Sequence, residues 1–239
     1  MRLLIFDLDG TLVDSRLDLA NAINAMLRYR GRPEMPVDVI SNYIGDGAPM
    51  LVRRALGDPD DERSVNEAIQ YFLVWYREHK LDNTYVYPGM FPALERLYTA
   101  SNGRERKLAV LSNKPVNPSR DIVAGLGLSK YFFQVYGGNS FSTKKPDPYG
   151  ALQLAREAGV QPEETVVVGD SQNDILTARN AGMWSIGVTY GLSPQTLEIA
   201  PPDVLVDKPE EIAMIFEPGA MAAATHEPPN GDSTPPSPS

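Results

Sequence analysis

The sequence predicts an α/β fold: a parallel sheet with helices on both faces and an all-helical insert after the first strand. Three observations carry that reading. Short apolar runs recur along the chain, each ended by turn residues. Amphipathic helical stretches lie between them. One stretch, residues 15–83, breaks the alternation because it holds helical patterns and no strand.

The first run, Leu3-Leu4-Ile5-Phe6, is apolar throughout and stops at Asp7. Lys107–Ser112, Phe132–Tyr136, Thr165–Val168, Trp184–Val188 and Val204–Val206 follow the same plan. Strands covered on both faces read as continuous apolar runs, and helices between them give the repeat of a parallel sheet. Leu152, Leu154, Ala155 and Ala158 mark one such helix, closed by Gly159. Within the insert, Leu19, Ile23, Met26 and Leu27 have helical spacing, as do Val65, Ala68, Ile69, Phe72, Trp75 and Tyr76. Ser64 and Glu67 have the spacing of a capping box. The aromatic stripe from Phe72 to Tyr76 reads as the packed interior of the insert rather than as a ligand contact. The strand pattern resumes after Tyr87-Pro88-Gly89. The expected organisation is an α/β core of residues 1–14 and 84–216, a helical cap of residues 15–83, and a tail of residues 217–239. That tail is rich in Pro, Ala and Ser and too poor in large apolar residues to order itself, so disorder is expected there.

Composition narrows the function. The chain has 239 residues and a formal net charge of −9. So acidic a chain is a poor partner for nucleic acid. It has no cysteine, which excludes disulfides, thiolate metal sites and a cysteine nucleophile. No segment has the roughly 20 apolar residues of a membrane span, and the run after Met1-Arg2 is too short for a signal peptide. A cytoplasmic monomer or homodimer is expected. His79 and His226 have no spacing that suits a shared metal.

Four segments carry the chemistry. Asp7-Leu8-Asp9-Gly10-Thr11 begins where the first strand ends, at the sheet edge where ligands bind in open α/β folds. Two carboxylates this close can divide labour, one staying ionised as a nucleophile and the other carrying a proton. Ser112, ahead of Asn113 and Lys114, offers a hydroxyl and backbone N–H groups suited to phosphate. Lys144 and Lys145 precede Pro146, and a fixed lysine there can neutralise a phosphoryl oxygen or the nucleophile. In Gly169-Asp170-Ser171-Gln172-Asn173-Asp174, Asp170 at the strand end supplies a hard oxygen ligand of the kind Mg²⁺ requires, and Asp174, four residues on, suits a place behind it.

In this order and at strand ends, the four segments resemble the motifs of the haloacid dehalogenase-like superfamily. The resemblance covers residues 1 to about 216 and implies a Rossmann-like core with an inserted helical cap. It further implies that Asp7 attacks phosphorus, that Asp9 is general acid and base, and that Ser112 and Lys145 bind the transferring phosphoryl group. Lys145 is preferred to Lys144 because it directly precedes proline. Mg²⁺ would be held by Asp7, the Asp9 backbone carbonyl and Asp170, with Asp174 behind them. Thr11 and Asn113 join the expected substrate-binding set. Asp9 argues for phosphoryl transfer over dehalogenation, since dehalogenases lack an Asp there. The mutase branch has a His and a cap Arg where this chain has Leu19 and Ala48, which argues against a mutase.

Asp18–Asn24, Ile44–Pro49, Tyr87-Pro88-Gly89, Gly137–Ser140 and Tyr190-Gly191 resemble bacterial phosphoglycolate phosphatases, although Asn139 replaces an Asp usual in that group. The resemblance implies hydrolysis of 2-phosphoglycolate to glycolate and phosphate. In the cap, Arg53 and Arg54 are candidates for the substrate carboxylate, and Gly45 and Gly47 for a close approach of the loop backbone to substrate. The rival readings are a broader phosphatase (pyrophosphate, nucleoside monophosphate, sugar phosphate) and a non-catalytic binding module on the same fold.

Overall fold

The computed structural model describes residues 1–99 and 106–217. Its strands, in chain order, are β1 (Leu3–Phe6), β2 (Val13–Asp14), β3 (Tyr85–Val86), β4 (Lys107–Leu111), β5 (Phe132–Tyr136), β6 (Thr165–Gly169), β7 (Trp184–Val188) and β8 (Val204–Val206). The helices are α1 (Arg16–Tyr29), α2 (Val37–Ser41), α3 (Ala48–Ala55), α4 (Glu62–His79), α5 (Met90–Thr99), α6 (Val116–Gly125), α7 (Tyr149–Ala158), α8 (Gln172–Ala181) and α9 (Pro209–Met214). Six strands form one parallel sheet in the order β5-β4-β1-β6-β7-β8. Phe6 pairs with Val110 on one side and Val168 on the other, so β1, β4 and β6 end level.

Alternate residues of each strand face opposite sides of the sheet. Leu4 and Phe6, with Leu108, Val110, Val166 and Val168, pack on Met90, Leu94, Ile122 and Ile212 of α5, α6 and α9. Leu3 and Ile5, with Ala109 and Val167, pack on Ala151, Leu154, Ala155 and Ala178 of α7 and α8. This explains why β1 has no polar residue. Complete burial of a Leu or Ile contributes about 1.5–3 kcal/mol.

The edges depart from the expected uniform burial. Phe133 in β5 is 42% exposed and Leu205 in β8 is 55% exposed. Each edge strand has one sheet neighbour instead of two. On α7 the buried residues are Gly150, Ala151, Leu154, Ala155 and Ala158, while Leu152 lies on the solvent side.

Helices α1 to α4 have their own apolar cluster, from Leu19 to Tyr76, separate from those of the sheet. Helix α4 starts earlier than the Ser64–Glu67 spacing suggests. Asp61 caps it, accepting a hydrogen bond from Ser64 N at 3.1 Å. Asp is a strong N-cap, and with it in place Ser64 falls inside the first turn. Glu67 instead faces Arg63 and Arg30.

The sequence pattern gives no sign of β2 and β3, which pair antiparallel where the insert leaves and rejoins the core. Two residues are too few to show a period. Beside them the buried Asp18 accepts hydrogen bonds from Asn83 N and Nδ2 and from Thr84 N and Oγ1, at 2.7–3.0 Å. The start of α1 is thereby tied to the returning chain. Among the described residues no helix is long and apolar enough to cross a membrane. Of the expected tail, only Glu217 is among the described residues, and it pairs with Arg96. His226 lies outside them.

Candidate active site

The level ends of β1, β4 and β6 bring Asp7, Ser112 and Asp170 together. Asp7 N donates to Val168 O at 2.9 Å, which fixes its backbone to β6 as the strand ends. The turn that follows is tight. Gly10 has φ +89°, and a Cβ there would meet Asp170 Oδ2 at 2.2 Å, so glycine is required for both conformation and space.

Asp7, Asp170 and Asp174 each place a carboxylate oxygen within 4.8 Å of the others, all buried. Lys145 Nζ lies 2.6 Å from Asp174 Oδ1 and 2.8 Å from Asp7 Oδ1. The second contact is an ion pair without hydrogen-bond direction, so Asp7 Oδ1 is a buried acceptor with no hydrogen bond. Asp174 has both oxygens occupied, since its Oδ2 accepts from Ser171 N and Oγ. Asp170 Oδ2 accepts from Leu192 N and Ser193 N. Burial, with the Asp174 and Asp7 charges adding to it, pushes the Asp170 carboxyl up to about 8. Burial also raises Asp7, to about 6, against the opposing pull of Lys145.

Three carboxylates facing one ammonium leave an excess of negative charge in a buried place. Hard oxygen donors with an uncompensated charge and an acceptor lacking a hydrogen bond fit a small divalent cation such as Mg²⁺. Asp7 and Asp170 have oxygens to give it. Asp174 stands behind, orienting Lys145.

Asp9 has a different environment. Ser15 Oγ donates to its Oδ1 at 2.6 Å. Lys114 Nζ donates to both carboxylate oxygens, at 3.0 and 2.8 Å. Thus Asp7 and Asp9, two residues apart, are served by different lysines from different loops. Ser112 Oγ accepts from Lys114 N at 3.2 Å, which shapes the loop after β4.

A cleft of about 650 Å³, open to solvent, lies over these groups. Asp7, Asp9, Ser112, Asn113, Lys114 and Asp170 line it from the core, and Leu19, Ile44, Leu51, Phe72, Leu73 and Tyr76 from the insert. The loop of Gly45 and Gly47 closes one side. Asn113 Nδ2 donates to Gly45 O at 3.0 Å and Asn173 Nδ2 to Asp46 Oδ1 at 2.8 Å, while Lys144 Nζ donates to Asp46 O at 2.6 Å. Gly47 has φ +84°, and a Cβ there would be 2.9 Å from Asn113 O. Its lack of a side chain lets insert and core touch.

Several expectations change. Arg53 does not line the cleft: it pairs with Asp58 and Glu62 and donates to Pro59 O, in and after the turn between α3 and α4. Arg54 is spent within the insert, on Tyr43 O and Asp46. Thr11 is fully buried under the first loop and does not line the cleft. Lys144 serves the insert loop instead of the acidic cluster. The Phe72–Tyr76 stripe is core and cleft wall together, because α4 is the helix that covers the site. Lys114, Tyr76, Ser15 and Asn173 had no assigned role in the sequence. Lys114 follows Ser112 by two residues, which was a usable signal. Tyr76 carried none beyond its place on an apolar stripe.

Comparison with known proteins bears on this geometry. A profile of the family described as haloacid dehalogenase-like hydrolase matches residues 4–188, which spans every group above except Leu192 and Ser193. The chain is a haloacid dehalogenase-like hydrolase. Within this family it is 39% identical over 197 residues to the phosphoglycolate phosphatase of Psychrobacter arcticus, covering 80% of this chain and 84% of that protein. It is 36% identical over 217 residues to the phosphoglycolate phosphatase of Neisseria meningitidis, covering 89% and 92%. The crystal structure of a predicted phosphoglycolate phosphatase from Haemophilus somnus matches with a TM-score of 0.83 and 32% identity, covering 91% of this chain and 98% of that one. This haloacid dehalogenase-like hydrolase is therefore an enzyme, and a phosphatase in kind.

Proposed function

We propose that the enzyme hydrolyses 2-phosphoglycolate to glycolate and phosphate through a phospho-aspartate on Asp7. The observation that carries the mechanism is the separation of the two adjacent carboxylates. Asp7 sits against Lys145 in the acidic cluster, and Asp9 sits against Lys114 and Ser15 at the cleft wall. An Asp7 oxygen attacks phosphorus and the ester P–O bond breaks. Asp9 gives its proton to the departing oxygen, which leaves as a hydroxyl. Asp9 then takes a proton from water, whose oxygen attacks the same phosphorus. The bond to Asp7 breaks, phosphate leaves, and the Asp7 carboxylate is restored. Splitting one displacement in two lowers each barrier. The Ser112 hydroxyl and the Asn113 backbone N–H orient the phosphoryl oxygens, since Ser112 N is bonded to Tyr136 O and Lys114 N to Ser112 Oγ.

Asp7, Asp170 and the backbone carbonyl of Asp9 would hold Mg²⁺, with Asp174 behind them. When bound, Mg²⁺ supplies positive charge to the phosphoryl oxygens. Lys145 keeps the Asp7 carboxylate ionised and fixed.

The substrate choice is supported by the names of the relatives and by a cleft of modest size. A broader phosphatase is the second reading, favoured by the apolar insert wall. Mg²⁺-dependent phosphate release from 2-phosphoglycolate, pyrophosphate, a nucleoside monophosphate and a sugar phosphate separates the two. A kcat/KM for 2-phosphoglycolate about 100-fold above the rest, roughly 3 kcal/mol of discrimination, supports the first. Similar values across the panel leave the second.

A further inference from the structure

With Arg53 and Arg54 occupied elsewhere, the substrate carboxylate needs another partner. Among the described residues lining the cleft, Lys114 is the only Lys or Arg. Its side chain is 5% exposed. An ammonium has three N–H groups; Asp9 supplies acceptors for two, and the third is turned toward Tyr76. On its far side stands the insert: Lys114 Nζ lies 4.7 Å from the centroid of the Tyr76 ring. Tyr76 is 2% exposed, lines the same cleft, and its Oη has no hydrogen-bond partner. A buried phenol without an acceptor is costly unless something arrives to use it. Burial pushes this hydroxyl up to about 12, so it stays an O–H donor.

We propose that Lys114 and Tyr76 form a subsite for a carboxylate on the carbon next to the phosphorylated hydroxyl, which makes the enzyme selective for phosphate esters of 2-hydroxy acids. The proposal rests on the reading above that Asp9 meets the ester oxygen. In such a substrate the carboxylate carbon is two bonds from that oxygen, each about 1.5 Å long. The carboxylate must therefore lie beside Asp9, and Lys114 is the cation beside Asp9. Tyr76 closes on it from the insert, so one anion is gripped by both walls of the cleft. A longer leaving group would carry its polar atoms past this point, against Leu51 and Leu73, which offer no hydrogen bond.

The rival role for Lys114 is to orient Asp9 alone, and the two roles predict different results. The full-length protein with saturating Mg²⁺ is assayed on 2-phosphoglycolate and on ethyl phosphate, which has the same ester but no carboxylate. Wild type, Lys114→Met and Tyr76→Phe are compared by kcat/KM. Loss of a buried polar partner for one substrate predicts that wild type favours 2-phosphoglycolate by about 100-fold, that Lys114→Met removes most of that ratio, and that Tyr76→Phe lowers it about tenfold. Equal losses on both substrates in Lys114→Met overturn the subsite and leave Lys114 as a holder of Asp9. If Lys114→Met does not fold, Tyr76→Phe, which keeps the ring, decides alone: a lowered ratio supports the subsite and an unaltered one overturns it. A wild type with no preference between the esters refutes the substrate reading itself. A wild type with the preference, retained in both variants, refutes only the subsite.

Discussion

The core wall of the cleft is charged and densely partnered, whereas the insert wall is apolar and nearly free of polar contacts. Asp7, Asp9, Asp170 and Asp174 each have a lysine, hydroxyl or backbone partner, and the lysines of Asp7 and Asp9 come from loops far along the chain. Leu19, Ile44, Leu51, Phe72 and Leu73 face them with hydrocarbon. The core handles the part common to all phosphate esters, the phosphoryl group. The insert sees only what is attached to it. An apolar wall also strengthens every charge interaction opposite it, because it lowers the local dielectric.

Changes on the core wall should be the most damaging. Asp7→Asn removes the nucleophile while keeping the side-chain shape, and turnover should fall by more than about 10⁴-fold with the melting curve little changed. Substantial phosphate release from a clean Asp7→Asn preparation would contradict the covalent route.

Removal of divalent cations comes next. EDTA should stop catalysis, and Mg²⁺ should restore it. The stability of the stripped protein should depend on pH with an unusual sign for an aspartate. Burial raises the folded Asp170 carboxyl to about 8, above its unfolded value of 3.8. Between these values the native state holds a proton that the unfolded chain releases, so stability falls as pH rises through that window. Mg²⁺ binds the ionised form, and its stabilising effect should therefore be larger near pH 8 than near pH 5. Thermal unfolding with EDTA or Mg²⁺ at the two pH values tests this; a shift independent of pH would count against Asp170 as a ligand.

The seam between the walls should respond more mildly. Gly47→Ala forces a Cβ toward Asn113 O at a positive φ. A cost of about 1–2 kcal/mol in stability, with kcat/KM reduced about tenfold, is expected. Unaltered kinetics would show that the loop need not touch the core. Smallest of all, Arg53→Ala should leave kcat/KM within about twofold, since Arg53 does not line the cleft and its partners Asp58 and Glu62 are solvent-exposed ions. A large rise in KM would return Arg53 to the substrate.

The core wall was also the more legible one. Asp7, Ser112 and Asp170 each follow an apolar strand, and parallel strands that end level must bring such residues together. Lys145 could be chosen over Lys144 from the proline after it. The insert wall resisted for physical reasons. Its contacts depend on the rotation and tilt of helices, which apolar spacing leaves open, so Arg53 and Arg54 could be placed on α3 but not given a direction. Tyr76 and Lys114 meet across 38 positions of sequence, with nothing local to pair them. The strands β2 and β3 and the Asp61 cap were hidden because two residues, or one side-chain hydrogen bond, leave no periodic trace.

The clamp at Asp18 has a mechanical consequence. By cross-linking the outgoing and returning connectors it sets a fulcrum at one end of the insert, while the Asp46 loop rests on Asn173 and Lys144 at the other. If the insert turns about that fulcrum, the hydrogen bonds that hold the Asp46 loop to the core must break. The strength of that latch, the hydrogen bonds from Asn113, Asn173 and Lys144, would then govern how long the leaving alcohol stays before it escapes.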